Sequence, residues 1–351
     1  MLLPRAELYC PAHRLPWCAA LAAVSFGLTI AGRASGAEDL SVFHPATQPA
    51  SSIRDLFFLV LGISGVILAL VEGLILYCAY RFRRRQGERN EPPQIYGSTP
   101  IEVAWTVAPL LTVFVLFLVV IRSVTEVRGQ SPPPGSLRVI AIGHQWWWEF
   151  IYPDLGIRTA NELYIPCRDP AAPQAISLEL QSADVIHSFW IPRLGGKTDH
   201  IPGRTNTLWF DAPERGTYLG QCAEYCGTQH ANMKLLVVAE SPEEFRLWQQ
   251  VELKEANHEP SVDAGRDRFL SLNCVNCHTI RGTAAAGKVG PDLTHLMARR
   301  TLAAGACVND HEHLQAWIAD PDAIKPGSHM PNMHLSKQDV ELIAAFLSTL
   351  E

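Results

Sequence analysis

Between Gln221 and Met233 the chain reads QCAEYCGTQHANM, which places Cys222, Cys226, His230 and Met233 in one short run. Thiolate, imidazole and thioether are soft donors, a set that suits copper better than the hard, oxygen-seeking cations magnesium and calcium. A mononuclear blue-copper site takes one cysteine, two histidines and a weak methionine. Here a single copper would leave one sulfur over, whereas two coppers bridged by both thiolates use every donor. Each metal then needs an imidazole, and the run supplies His230 alone. His187, in SADVIHSFWIP, is the candidate for the second, because it ends a predicted strand where the loops of a sandwich gather at one rim. Zinc is the competing ion, since two cysteines and two histidines satisfy it too, although it has little use for a thioether.

A second cluster, CVNCH from Cys274 to His278, has the Cys-x-x-Cys-His form of a c-type haem attachment site. Cys274 and Cys277 would form thioethers to the porphyrin vinyl groups, and the adjacent His278 is held where it can ligate iron. A helical stretch, GRDRFLSLN, runs into the motif; GPDL follows at Gly290–Leu293, and KPGSHMPNM carries Met330 and Met333. In an exported chain with nine cysteines disulfides are the first expectation. Four of the nine are occupied by these two motifs, and neither spacing nor a partner supports a bridge between Cys167 and Cys307.

The elements that must position these residues divide the chain. Arg5 and Arg14, the apolar run Trp17–Ile30 and the small residues Ala34–Ala37 describe a secretory signal over residues 1–37. A membrane hairpin over 38–128 follows, with helices expected at 56–80 and 101–121, each long enough to cross a hydrocarbon core of roughly 30 Å. Five arginines in RFRRRQGER, Arg81 to Arg89, mark the connecting loop as cytoplasmic and put everything after Arg122 outside. After the helix-breaking GQSPPPGS, short alternating segments over 136–240 read as an antiparallel all-β sandwich or barrel. A charged helical connector covers 241–260. Helical patterns return over 261–351, closing with an amphipathic helix capped by Ser336 that presents Leu342, Ile343, Phe346 and Leu347 on one face. The net charge of −6, with no basic block beyond the arginine loop, argues against nucleic acid as a partner.

Taken together, DVIHSFWIP, GKTDHIPGR, GQCAEYCGTQHANM and HQWWW resemble subunit II of cytochrome c oxidase over roughly Ile53 to Glu240, while Ser261 to Glu351 resembles the small class I cytochromes c. The resemblance implies a multi-domain membrane protein with a two-helix transmembrane hairpin, an all-β cupredoxin-like sandwich and an all-α cytochrome c domain. It implies a binuclear CuA centre bridged by Cys222 and Cys226. One copper would take His187 and Met233, and the other His230 and the backbone carbonyl of Glu224. The Glu224 side chain would serve a magnesium site shared with subunit I. In the haem c domain it implies Met330 as the sixth ligand, with Met333 as the alternative, and a Pro291 carbonyl that orients His278. Trp146 matches the exposed tryptophan through which electrons enter, and Glu102 matches a glutamate at the mouth of a proton path. Glu72 is given no role beyond a contact with subunit I. His295, His311, His313, His329 and His334 are expected at the surface.

The implied activity is that of the subunit of a haem-copper terminal oxidase that receives electrons, in the bacterial inner membrane with both soluble domains on the periplasmic face. Electrons would pass from a donor, such as cytochrome c or a quinol–cytochrome c reductase, to haem c, to CuA and on to subunit I. Oxygen would be reduced to water there, with proton pumping, so no residue of this chain would be a catalytic acid, base or nucleophile. Subunit I, subunit III and membrane lipid are the implied partners. A membrane-tethered electron carrier for another reductase, such as a nitric oxide reductase, is the alternative.

Overall fold

Thr47 begins the membrane hairpin: its hydroxyl caps the first turn of α1 (Gln48–Arg81) by accepting from Ala50, and it donates to the Leu194 carbonyl. The computed structural model describes residues 40–351 apart from 85–86, 88–90, 92, 129–130, 172–173 and 258, so the expected signal lies outside the described residues. With 34 residues, α1 is about 50 Å long at about 1.5 Å per residue. The second helix, α2 (Thr99–Arg128), is also longer than its apolar run and carries Pro109 inside it. Both helices are long and apolar enough to cross a membrane, and their apolar side chains are exposed. The residues flanking Thr47 hold the hairpin to the soluble part: Ala46 N–H donates to Arg193 O and the Arg193 guanidinium to His44 O.

Ten strands follow, and their inward positions alternate, as in β1 (Leu137–His144), where Leu137, Val139, Ala141 and Gly143 are buried. The others are β2 (Trp147–Tyr152), β3 (Ile157–Ala160), β4 (Glu162–Pro166), β5 (Ala175–Ser182), β6 (His187–Trp190), β7 (Thr198–His200), β8 (Asn206–Asp211), β9 (Gly216–Cys222) and β10 (Lys234–Glu240). They form two five-stranded sheets, ordered β3-β2-β1-β5-β8 and β4-β10-β9-β6-β7. Two pairs, β1 with β5 and β10 with β4, are parallel, so the sandwich is mixed where the strand pattern alone pointed to an antiparallel one. Alternation reports which face is buried and not which strand lies alongside. Trp148, Phe150, Phe189, Leu178 and Met233 fill the space between the sheets.

The connector forms α3 (Pro242–Glu252) behind a capping box made by Ser241 and Glu244. Its Trp248 stacks on Tyr164 of β4 at 4.8 Å. Beyond it lie α4 (Asp263–Ser271), α5 (Cys274–Cys277), the short ladder of β11 (Thr301–Leu302) with β12 (Cys307–Val308), α6 (His311–Ala319), α7 (Pro321–Ile324) and α8 (Lys337–Leu347). Ser336 caps α8, which buries Ile343, Phe346 and Leu347 together with Val340 and Ala344. His295 corrects the surface expectation: it is buried, with its ring nitrogens on the carbonyls of Glu351 and Lys254, because the chain end folds back beside the connector.

The crossing of α4 and α8 depends on Gly265, since a Cβ there would stand 2.0 Å from the Leu342 carbonyl oxygen. Beside it, the Arg268 guanidinium forks onto the Asp339 carboxylate. Gly265→Ala should therefore destabilise the C-terminal helical unit. The clash outweighs the roughly 1 kcal/mol by which alanine favours a helix. A net loss of about 2 kcal/mol would lower the melting midpoint by roughly 8–16 °C for a unit of this size. Thermal melts followed at the helix band check this, and an unchanged midpoint would mean that the two helices can separate freely.

Candidate metal centre

Cys222 ends β9, and its N–H donates to the Met233 carbonyl just before β10 begins, so the intervening loop is closed by the antiparallel register of the two strands. Gly227 turns the loop with φ of 116° and packs where a Cβ would lie 3.0 Å from the Trp146 ring. The loop is also fastened from outside, because Gln145 Nε2 and Trp146 Nε1 both donate to the Cys226 carbonyl, at 2.8 and 2.9 Å.

These constraints bring the predicted donors together. The sulfurs of Cys222 and Cys226 are 3.8 Å apart, far beyond the roughly 2.05 Å of a disulfide, and both thiols are free and buried. His187 Nδ1 lies 4.0 Å from Cys222 Sγ, His230 Nδ1 3.6 Å and Met233 Sδ 3.9 Å from Cys226 Sγ. The Glu224 carbonyl oxygen lies 3.2 Å from Cys222 Sγ. Asp184, which sequence reasoning did not single out, orients His187: its carboxylate accepts from His187 Nε2 at 2.7 Å and leaves Nδ1 facing the sulfurs. An acid three residues before the histidine was the available signal.

Charge in the cluster favours a cation. The Cys222 thiol is pulled down to about 3, chiefly because the Cys226 thiol hydrogen-bonds its anion, and the same contact pushes Cys226 far up. Burial works against a charge on His187, but Asp184 and Cys222 outweigh it and hold the imidazole above its ordinary range. Burial also tends to raise Asp184, yet its hydrogen bonds with His187 and the backbone hold it below the usual carboxylate range. Buried soft sulfur, imidazole and thioether around one point fit a copper pair, and Met233, fully buried, has no place in a zinc set. Glu224 and Tyr225 point outward from the loop.

The second cluster opens onto a cavity of about 470 Å³ lined by Cys274, Cys277, His278, Met330 and Met333 with apolar walls that include Leu293, Ile318 and Ile343. His278 Nδ1–H donates to the Pro291 carbonyl at 2.8 Å, which leaves Nε2 for the cavity, and burial holds the imidazole below its ordinary range. The size and the thiol-imidazole-thioether lining fit a covalently held haem. Gln145, Trp146, Trp147 and Asn161 of the sandwich line the same cavity. Trp146 is 8% exposed, which corrects the expectation of an exposed ring: the haem-binding unit covers it, with His329 at 5.2 Å. Trp148 is core, and Trp147 stacks on His144. Glu102 stands apart at the start of α2, where its carboxylate accepts from Ser98 N–H at 3.1 Å; the resemblance alone speaks for a proton path there.

The chain is similar to known proteins over its helical hairpin, its sandwich and its C-terminal unit. Residues 38–125 match the transmembrane domain of cytochrome c oxidase subunit II, residues 159–240 its periplasmic domain, and residues 262–351 cytochrome c. Cytochrome c oxidase subunit 2 of Alkalihalophilus pseudofirmus is 33% identical over 324 residues, covering 90% of this chain and 92% of that one. The subunit 2 of Bacillus subtilis is 34% identical over 327 residues, covering 88% and 90%. The crystal structure of the periplasmic domain of subunit II of cytochrome oxidase of Bradyrhizobium japonicum aligns at 33% identity with a TM-score of 0.32, covering 35% of this chain and 96% of that one.

Because Asp184 fixes the tautomer and direction of His187, Asp184→Ala should weaken copper binding about 10- to 100-fold while the sandwich stays folded. Titration against a competing copper chelator measures this. Unchanged affinity would show that packing against Trp148 is enough to aim the ring.

Proposed function

Since the chain belongs to the cytochrome c oxidase subunit II family, we propose that it receives electrons for a haem-copper terminal oxidase and delivers them to subunit I, where oxygen is reduced to water and protons are pumped. The observation that carries the reading is the convergence of two cysteine sulfurs, two imidazoles, a thioether and the Glu224 carbonyl beside a cavity lined by a second cysteine pair. When bound, the copper pair and the haem supply two one-electron stations, neither with an open position for substrate.

The residues of the chain divide the work. Cys222 and Cys226 would hold both coppers between them, His187 and Met233 would complete one, and His230 with the Glu224 carbonyl would complete the other. The exposed Glu224 carboxylate is left for magnesium at the boundary with subunit I. Cys274 and Cys277 would anchor the haem and His278 and Met330 would hold its iron, while the Pro291 carbonyl keeps His278 Nδ1 protonated and Nε2 free for it. Trp146 lies between the two stations, its ring on the cavity wall and its indole N–H on the Cys226 carbonyl, so it serves transfer within the chain as the ring through which electrons reach copper. Cytochrome c or a quinol–cytochrome c reductase acts as donor on the periplasmic face, with subunit III as a further partner.

Metal analysis of the purified complex should find about two coppers per chain with a delocalised spin signal. One copper per chain, or zinc, removes the binuclear reading. For the iron, Met330→Ala should open a site that binds carbon monoxide, visible as a shifted haem band, while Met333→Ala should leave the reduced spectrum unmoved. The reverse pattern assigns the sixth ligand to Met333.

A further inference from the structure

Lys325 follows α7 and is 3% exposed, although it belongs to neither donor set. Its ammonium donates to the carbonyl oxygens of Trp146 at 2.6 Å, Asn232 at 2.8 Å and Ala303 at 2.8 Å. Three N–H donors meet three acceptors, and among the described residues no carboxylate pairs with it. Taking an ammonium out of water without a counter-charge is expensive, so geometry rather than net stability accounts better for its presence.

The three oxygens lie at places that matter for the two stations. Trp146 separates the haem cavity from Cys226, Asn232 precedes the donor Met233, and Ala303 belongs to the turn between β11 and β12. Lys325 itself begins the KPGSHM segment that leads to Met330. Around it the seam is bonded from both sides. Gln229 Nε2 donates to the Pro326 carbonyl at 2.7 Å, and Lys234 N–H donates to the Ala304 carbonyl at 3.0 Å. The Glu162 carboxylate accepts the N–H groups of Arg300 and Thr301 at 2.7 and 3.2 Å.

We propose that Lys325 is a positioning residue that locks the haem-binding unit onto the metal loop in one arrangement, making the chain a fixed two-station assembly and not a tethered domain that swings. The inference rests on the preceding reading for its purpose, and on the seam alone for its geometry. Removing the ammonium takes a donor from three carbonyls at the middle of the seam, that of Trp146 buried and those of Asn232 and Ala303 half-buried, each of which would then seek water.

The test uses the full chain in its purified oxidase complex. In the wild type, the peptide containing the Lys234 amide should exchange hydrogen as slowly as the interior of β10. In Lys325→Met, which keeps the length but has no donor, exchange there and at Arg300–Thr301 should rise about tenfold or more, the factor expected when a buried carbonyl loses its donor. The haem and copper absorption bands should keep their wild-type form, whereas electron injection from a photoexcited ruthenium complex should lose its single fast haem-to-copper phase. Lys325→Arg, which keeps a buried cation with N–H donors, should recover protection and the fast phase. Wild-type exchange and transfer in Lys325→Met overturn the proposal. Should that variant fail to load haem or copper, the wild type decides: a Lys234 amide exchanging like an open loop overturns the lock. A wild-type chain without copper would sink the functional reading while the exchange result still judged the seam.

Discussion

Two cysteine sulfurs held 3.8 Å apart out of water are the constraint on which the rest of the structure depends. Two negative charges at about 4 Å repel by about 4 kcal/mol even at an effective dielectric of about 20, so the pair shares one proton or binds a cation. The fold must hold the sulfurs in place against that repulsion, and it does so through strand register. Lys234 pairs with Gln221, and the Met233 carbonyl takes the Cys222 N–H, so the loop ends are fixed by the same ladder that builds the sheet. A slip of one residue would turn every side chain of β9 to the other face, Cys222 included. Donors on a loop fastened in this way to a packed sandwich would move little if the charge of the cluster changed.

The loop is gripped a second time from the side of the haem. Trp146 and Gln145 hold the Cys226 carbonyl, and Trp146 is itself buried by the haem-binding unit. On that unit, Ala303 and Ala304 adopt left-handed backbone angles, φ of 51° and 60°, which cost an L-residue roughly 1–2 kcal/mol each. Their carbonyls are the ones that face Lys325 and the Lys234 N–H. Backbone strain of this kind persists where surroundings over-determine it, and here the seam supplies those surroundings.

What was legible in the sequence was the chemistry written in contiguous residues or in a fixed period. The soft donors of the 222–233 run, the Cys-x-x-Cys-His motif, the two apolar helices and the Ser336 cap each declare themselves within a few turns of chain. The hairpin, the all-β part and the helical part followed from the same local signals, while their cupredoxin-like and cytochrome c character rested on the resemblance. Features that depend on distant segments meeting were not legible. Lys325 and Trp146 are 179 positions apart, and nothing in KPGSHM announces a carbonyl acceptor on another domain. The exposure expected of Trp146 failed for the same reason, since its cover comes from the far end of the chain. His295 reads as one more polar surface residue until the terminus returns to it. The parallel pairing of β1 with β5 is equally invisible, because each strand shows its buried face and not its neighbour.

The seam is built from backbone carbonyls, one ammonium, the Gln229 amide, the Glu162 carboxylate and the covered Trp146 ring, and covalent linkage changes what it must supply. Joined units face each other at a high effective concentration, so docking needs little apolar area to be complete. The connector reinforces this. Its Trp248 packs on the sandwich, while the Arg281 guanidinium donates to the Glu252 carbonyl and Ala256 N–H donates to the Arg281 carbonyl. Lys254 meets His295. A connector bonded to both units along its length is a spacer of set reach and not a free tether. With reach fixed by the connector and orientation fixed by hydrogen bonds that are directional where apolar contact is not, the seam can specify one separation between the stations. A greasy interface of the same area would bind as well and slide.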